Sequence, residues 1–399
     1  MKFAPRHIVS AAVRVLFSAI AVWCVLVEVA EFAAGRLFGM VLDGDWFLLV
    51  VGSSRAAMGE FLRLYGVPVA VAAAVILASA AVVVWISLRA PRRAFLCVVA
   101  AAAALAAVRV VQVGSIRAWK PLYVAFDTIR SARSYSQIAA AGRWTDERAS
   151  QVRVLPECAT NYVVVIGESL TTFRLSFFGY GLHTTPGLEG LGPALSVQGP
   201  VRAPSPYTVR SLADLLIADG AAAPVWFRQA GYRTSFVGAH HRWARYCSVE
   251  SSIFDACEPK IYLSELMKGR HIYDEYLLPH IRELVAQKGP FALFVHMMGS
   301  HFDQKDRVPR DFDDGGGLDV YDRSVRYTDK VLSDIIAALP PRTVLLFISD
   351  HGESTDTGRW RDATSRALWS VPVFVYPADA APKIATVSDF VAAWRGWAR

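Results

Sequence analysis

Four apolar runs in this 399-residue chain each end on groups that bind metals or move protons. Val163-Val164-Val165-Ile166 leads through Gly167 into Glu168. The run ending at Val237 is followed by His240 and His241. The run ending at Val295 is followed by His296 and then His301. The run ending at Ile348 leads through Ser349 into Asp350 and His351. An ionised carboxylate behind a buried strand is costly unless it is paired or bound to a metal. Histidine is the commonest metal ligand, and carboxylates complete nitrogen–oxygen donor sets suited to zinc. The pattern reads as a metal site. Its strongest part is Asp350–His351, because a strand–Asp–His–Gly turn aims two ligands at one point. Glu168 holds the equivalent position behind another strand.

Each of these residues also has an ordinary structural role. A carboxylate such as Glu168 is stabilised at a helix N-terminus by the macrodipole. Thr208, in Tyr207-Thr208-Val209-Arg210-Ser211, reads on its residues alone as an N-cap for the following helix. His301 reads as functional and His296 as a hydrogen-bonded core histidine, while His240 and His241 stay open between the two. Asp274 and Glu275 read as a solvated or capping pair. Tyr321, Asp322, Tyr327 and Asp329 read as helix packing and hydrogen bonding.

The elements that must position these groups are β-rich runs at Tyr162–Ile166, Thr234–Val237, Phe291–Val295, Thr343–Ile348 and Val371–Tyr376. They are continuous rather than alternating, as expected for parallel strands covered on both faces. Helical patterns at Val209–Ile217, Tyr273–Gln287 and Tyr321–Ala337 separate them. The fold class is α/β, with a doubly wound, mostly parallel sheet. Sites in such sheets form outside the carboxyl ends of the strands, which is where the His and acidic residues fall.

Hydrophobic residues make up 54% of the chain and concentrate in its first third, so a membrane part precedes the globular one. Ile8–Ala30, Gly66–Leu88 and Phe95–Val113 approach the roughly 20 apolar residues needed to span a bilayer. Leu37–Val51 is shorter, is broken by Asp43 and Asp45, and reads as interfacial. Glu28 and Glu31, near the outer boundary of the first span, read as interfacial caps ahead of a polar pocket. Lys2, Arg6, Arg89, Arg92 and Arg93 orient the spans by the positive-inside rule, which puts the globular part on the outer face. "FDTIRSARSYSQIAAAGRW" reads as an amphipathic linker helix near the membrane surface. The domains are then 1–114 transmembrane, 115–154 linker and 155–399 catalytic. The net charge of +7 is scattered and flanks apolar segments, so nucleic acid is not an expected partner. Among five cysteines, Cys247 and Cys257 could close a short loop by a disulfide in an oxidising compartment.

Five stretches, "VVVIGESLTTFRLSFFGYGLHTTPGL", "PSPYTVRSLADLL", "FVHMMGSHFD", "YDRSVRYTDKVL" and "FISDHGES", resemble the ordered motifs of bacterial phosphoethanolamine transferases. That family includes lipid A-modifying enzymes and belongs to the alkaline phosphatase and sulfatase superfamily. The resemblance covers about Tyr162 to Val375. It implies a multi-pass inner-membrane protein with a periplasmic, sulfatase-like catalytic domain. It implies a zinc site at Glu168, Thr208, Asp350 and His351, with Thr208 as nucleophile and His301 against the transferred head group or an accessory metal. The donor implied is phosphatidylethanolamine. The acceptor implied is an envelope lipid or glycan, such as lipid A or core oligosaccharide. An oxygen-rich set with one His also accepts manganese.

The chain departs from the family's pattern in two places. The family usually carries another His after "DHGE"; here "TDTGRWRDATSRALWSVP" holds none, and Arg359 stands near that place as a substitute phosphate-binding group. The chain also ends soon after the last strand, at "FVAAWRGWAR", so the closing helix is expected to be short. The competing functions are a phosphoglycerol transferase, a phosphatase-type hydrolase, and a non-catalytic envelope protein that keeps the fold. A sulfatase ranks low, because "SPYTVR" lacks the Cys or Ser followed by x-Pro-x-Arg that conversion to formylglycine needs.

Overall fold

Val, Ile and Phe dominate the runs that become strands, and these side chains suit a pleated surface buried on both faces. The structure, a computed structural model, describes residues 5–38, 42–52, 55–91, 93–97, 100, 120–240, 249–267, 270–357 and 362–399. Contacts divide the chain into two compact units, Met1–Arg133 and Ser134–Arg399.

The second unit holds nine strands among the described residues: β1 (Asn161–Gly167), β2 (Ser196–Arg202), β3 (Ile217–Ala218), β4 (Ala221–Ala222), β5 (Arg233–Gly238), β6 (Lys260–Tyr262), β7 (Phe291–His296), β8 (Thr343–Ser349) and β9 (Ser370–Tyr376). Seven of them form one sheet in the order β2-β9-β8-β1-β7-β5-β6, and β3 and β4 form a small hairpin. β8, β1, β7, β5 and β6 are parallel. β9 is antiparallel to β8, and β2 to β9, so the sheet is mostly parallel, as expected, with both antiparallel strands at one edge. β7 and β8 are buried along their whole length, which explains their unbroken apolar sequence.

Amphipathic helices cover the sheet. Thr208–Leu216 buries Val209, Leu212, Leu215 and Leu216, while Val320–Ala337 buries Val325, Leu332 and Ile336. Asp319 caps the second of these by accepting from Asp322 N–H. The closing helix Val387–Trp397 has 11 residues and starts with a Thr386/Asp389 capping box. Its buried Trp394 donates to the Leu215 carbonyl at 2.9 Å, tying it to the helix that begins at Thr208.

In the first unit, two helices among the described residues are long and apolar enough to cross a membrane, Ala11–Arg36 and Tyr65–Arg89. They lie within the longer helices Pro5–Phe38 and Arg55–Arg89. Arg14 donates to the Ser87 and Ala90 carbonyls at 2.8 and 2.9 Å, satisfying the end of the second helix. Glu31 accepts from Leu42 N–H at 2.6 Å and pairs with Lys120 at 3.1 Å. Most of the expected third span lies outside the described residues. The interfacial stretch contains most of a helix at Gly44–Gly52, and the helix Lys120–Gly142 covers most of the expected amphipathic stretch of the linker.

Candidate metal centre

The register of the sheet decides what meets at its carboxyl edge. Ile166 pairs with both Ile348 and His296, and Gly238 pairs with His296. The residues that follow these positions therefore emerge side by side, which places Glu168, His240 and Asp350–His351 around one point.

Glu168, Asp350 and His351 are completely buried, and their ligand atoms lie within 4.8 Å of one another. His351 Nε2 lies 3.3 Å from Glu168 Oε1 and 3.3 Å from Asp350 Oδ2. The other ring nitrogen, Nδ1, is 2.8 Å from the Gly352 carbonyl. That contact fixes Nδ1 as the protonated nitrogen and leaves Nε2 as a ligand, the usual supporting arrangement of a metal-bound histidine. Asp350 Oδ1 accepts from Ser169 N–H at 3.1 Å and from His351 N–H at 2.6 Å. Asp350 Oδ2 is buried without a hydrogen bond, which suits an oxygen that takes a cation. Burial, and then the charge of Glu168, push the Asp350 carboxyl well above the usual carboxylate range. A divalent cation would reverse that cost, so the donor set fits one.

Thr208 is the first residue of its helix, and Tyr207 occupies the N-cap position. Its hydroxyl does not cap the helix but donates to Glu168 Oε2 at 2.9 Å. It is partly exposed, whereas the acidic cluster beneath it is buried.

The backbone around Glu168 is tightly specified. Ser169 has φ +58°, a left-handed conformation uncommon for a non-glycine residue. It is held by Asp350 on its N–H, by Tyr321 Oη donating to its carbonyl at 2.7 Å, and by its own Oγ donating to Glu168 Oε1 at 2.7 Å. The loop after β7 rests on the same segment. Met297 N–H reaches the Ile166 carbonyl, and Ser300 N–H reaches the Glu168 carbonyl. Gly299, at φ +50°, has no room for a side chain, because a Cβ would sit 2.6 Å from the Glu168 carbonyl oxygen.

One expectation needs correction. Asp274 is no solvated or capping group: it is 2% exposed and accepts from Met298 and Gly299 N–H, each at 2.7 Å. His296 is fully buried, as expected of a core histidine. It stacks on His240 with ring centroids 4.0 Å apart, and both belong to a group with Glu168 whose ligand atoms also lie within 4.8 Å of one another. His301 meets His240 edge-on at 5.9 Å. The signal for these histidines was their common place behind strand-forming runs. Tyr321, Asp322 and Asp329 do hydrogen-bond as expected: Arg174 pairs with Asp322 at 2.9 Å, and Asp329 takes Gly187 and Leu188 N–H at 2.8 Å. Arg359, His241 and Cys247 lie outside the described residues; Cys257 is a buried free thiol.

A family model described as Sulfatase matches residues 160–398. The chain is similar to phosphoethanolamine transferase EptC of Escherichia coli O18:K1:H7, with 27% identity over 275 residues, 59% of this chain and 46% of that protein. It thus spans about half the length of the curated relatives it matches. Among solved structures, it is similar to the zinc complex of the C-terminal periplasmic domain of E. coli EptC, with TM-score 0.52, 24% identity, and 60% and 82% of the two chains covered. It is also similar to the integral membrane lipooligosaccharide phosphoethanolamine transferase A of Neisseria meningitidis, with TM-score 0.62, 17% identity, and 96% and 84% covered. At these identities the two structures establish a shared fold. With that fold and a match over most of its length, the chain belongs to the sulfatase family.

Proposed function

We propose that this chain is a membrane-anchored, zinc-dependent transferase that moves phosphoethanolamine from phosphatidylethanolamine to an envelope lipid or glycan through a phosphothreonine-type intermediate. The observation that carries the reading is the Thr208 hydroxyl, 2.9 Å from a buried carboxylate at the start of a nine-residue helix, beside the Asp350–His351 pair. The names of the relatives, the zinc in the periplasmic EptC domain and the two apolar helices support it.

Glu168, Asp350, His351 and Thr208 would hold the cation. When bound, it supplies positive charge that stabilises the threonine oxygen and the phosphoryl oxygens. Glu168 Oε2 accepts the Thr208 proton in a hydrogen bond and so directs the oxygen lone pairs away from itself. The first-turn N–H groups of the helix, which have no intrahelical partners, would offer donors to phosphoryl oxygens. The Thr208 oxygen attacks phosphorus, a new P–O bond forms, and the bond to diacylglycerol breaks; diacylglycerol leaves with the proton. An acceptor hydroxyl oxygen would then attack the same phosphorus, the bond from phosphorus to Thr208 would break, and the acceptor's proton would return to the Thr208 oxygen. His301, whose ring meets that of His240 edge-on at 5.9 Å, would contact the head group. The membrane part would hold enzyme and donor on one surface, with the catalytic unit in the periplasm.

The test is peptide mass spectrometry across Thr208 after incubating the detergent-solubilised chain with phosphatidylethanolamine and zinc. A phosphoethanolamine adduct on Thr208, absent in Thr208→Ala, is expected. Undiminished transfer in Thr208→Ala would sink the reading.

A further inference from the structure

We infer that Glu168, His240 and His296 form a second divalent-cation site, which shares Glu168 with the Asp350–His351 centre. The inference rests on reading that centre as a cation site. The three side chains come from the carboxyl ends of neighbouring strands: Glu168 follows β1, His296 ends β7, and His240 follows β5. All three are buried, with ligand atoms within 4.8 Å of one another.

The two oxygens of Glu168 divide between the two groups. Oε1 lies 3.3 Å from His351 Nε2, while Oε2 lies 3.8 Å from His240 Nε2 and 2.9 Å from the Thr208 hydroxyl. A carboxylate that presents one oxygen to each of two ligand groups has the disposition of a bridging ligand in two-metal sites, where the ions stand about 3.5–4 Å apart. Two imidazoles and one carboxylate make a three-ligand set, and zinc sites with three protein ligands keep a fourth position open for chemistry. The Thr208 hydroxyl shares Oε2 with His240, so that position belongs to the nucleophile's side of Glu168.

His240 Nε2 also lies 2.9 Å from the Met297 carbonyl. Binding through Nε2 moves the ring proton to Nδ1 and exchanges the carbonyl hydrogen bond for a metal bond. Charge gives the site its use. Glu168, Asp350 and a deprotonated Thr208 carry one negative charge each. A single divalent ion leaves that group net negative toward an anionic phosphodiester. A second ion on neutral imidazoles reverses the sign.

The experiment measures zinc per chain by inductively coupled plasma mass spectrometry on the full-length, detergent-solubilised protein, loaded with zinc and desalted. About two equivalents are expected in the wild type, and about one in His240→Ala and in His296→Gln. In either variant, a further Asp350→Asn change should release the remaining ion. Cobalt(II) substitution gives a second readout: spin coupling through Glu168 weakens the electron paramagnetic resonance signal per cobalt in the wild type, and His240→Ala restores it. A folded wild type with one equivalent, kept in His240→Ala, overturns the second site and leaves the Thr208 chemistry standing. Two equivalents that survive both histidine variants also overturn it. No zinc in any sample removes both sites, while the adduct on Thr208 reports separately on the transfer reaction.

Discussion

Replacing Asp274 by Ala should loosen the candidate site without touching any residue that would contact substrate. The carboxylate accepts Met298 and Gly299 N–H at 2.7 Å each, in a 2%-exposed setting. Those two residues belong to the loop that carries His301 and lies against the Glu168 backbone. Alanine strands both buried donors, and each stranded donor costs about 1–3 kcal/mol. A loss of about 3–4 kcal/mol follows, a large share of the 5–15 kcal/mol that holds an ordinary domain together. For a domain of this size that corresponds to a melting temperature lower by roughly 10 °C. Asp274→Asn keeps one acceptor and should fall by about half as much. The assay is tryptophan-fluorescence melting of the detergent-solubilised chain, with zinc content measured alongside. If Asp274→Ala melts within about 2 °C of the wild type, other contacts hold the loop and the reasoning fails.

Gly299→Ala should be worse for the site than its size suggests. A Cβ at φ +50° would lie 2.6 Å from the Glu168 carbonyl, so zinc affinity as well as melting temperature should drop, by about 2 kcal/mol or more in stability. Asp329 gives a pH signature. Burial pushes its carboxyl up to about 6 from 3.8, so the folded state holds the proton more tightly than the unfolded one. Its contribution is greatest below about pH 4, falls as pH rises to about 6 and is flat above, a change on the order of 3 kcal/mol. Melting curves of the wild type and Asp329→Asn should therefore diverge across that window, and a constant difference from pH 4 to 7 would contradict the assignment. Finally, removing metal with a strong chelator should lower the melting temperature of the wild type, since a ligand at a thousand times its Kd stabilises by about 4 kcal/mol. A double change of Asp350→Asn and His240→Ala should make melting insensitive to chelator.

The parts of the fold visible in the sequence are those with unbroken apolar runs. All five expected strands form, each within about a residue of its expected ends, because they are buried on both faces. β2, with the sequence SVQGPVR, was not visible. It is an edge strand, half exposed, and its register shifts between Gln198 and Val201. β6 has three residues, too few to show a period. Strand direction left no trace either: β9 is as apolar as β8, yet antiparallel to it. At the site, Glu168 and Asp350–His351 stood out because polar groups behind apolar runs are anomalous by themselves. The stacking of His296 on His240 depended on β7 lying between β1 and β5, and the burial of Asp274 depended on a loop folding over it. Both are facts of tertiary order, which local pattern does not encode.

The tertiary order explains why strain collects beside Glu168. Ser169 must turn left-handed so that the chain leaves the strand sideways, at a cost of about 1–2 kcal/mol. In return, its N–H reaches Asp350 and its hydroxyl reaches Glu168 Oε1, so one residue orients both carboxylates. Tyr321, from the helix Val320–Ala337, locks the turn by donating to the Ser169 carbonyl while accepting Thr171 N–H at 3.1 Å. The stretch "YDRSVRYTDKVL" therefore serves the site at one remove. Its tyrosine holds the backbone that holds the carboxylates, while Asp322 and Asp329 anchor Arg174 and the turn at Gly187–Leu188. Two carboxylates forced together in a buried pocket raise each other's energy, and nothing in their own hydrogen bonding removes that cost. A fold that spends backbone strain to keep them converged suits a cation, and the partly exposed Thr208 hydroxyl lies 2.9 Å from Glu168 Oε2.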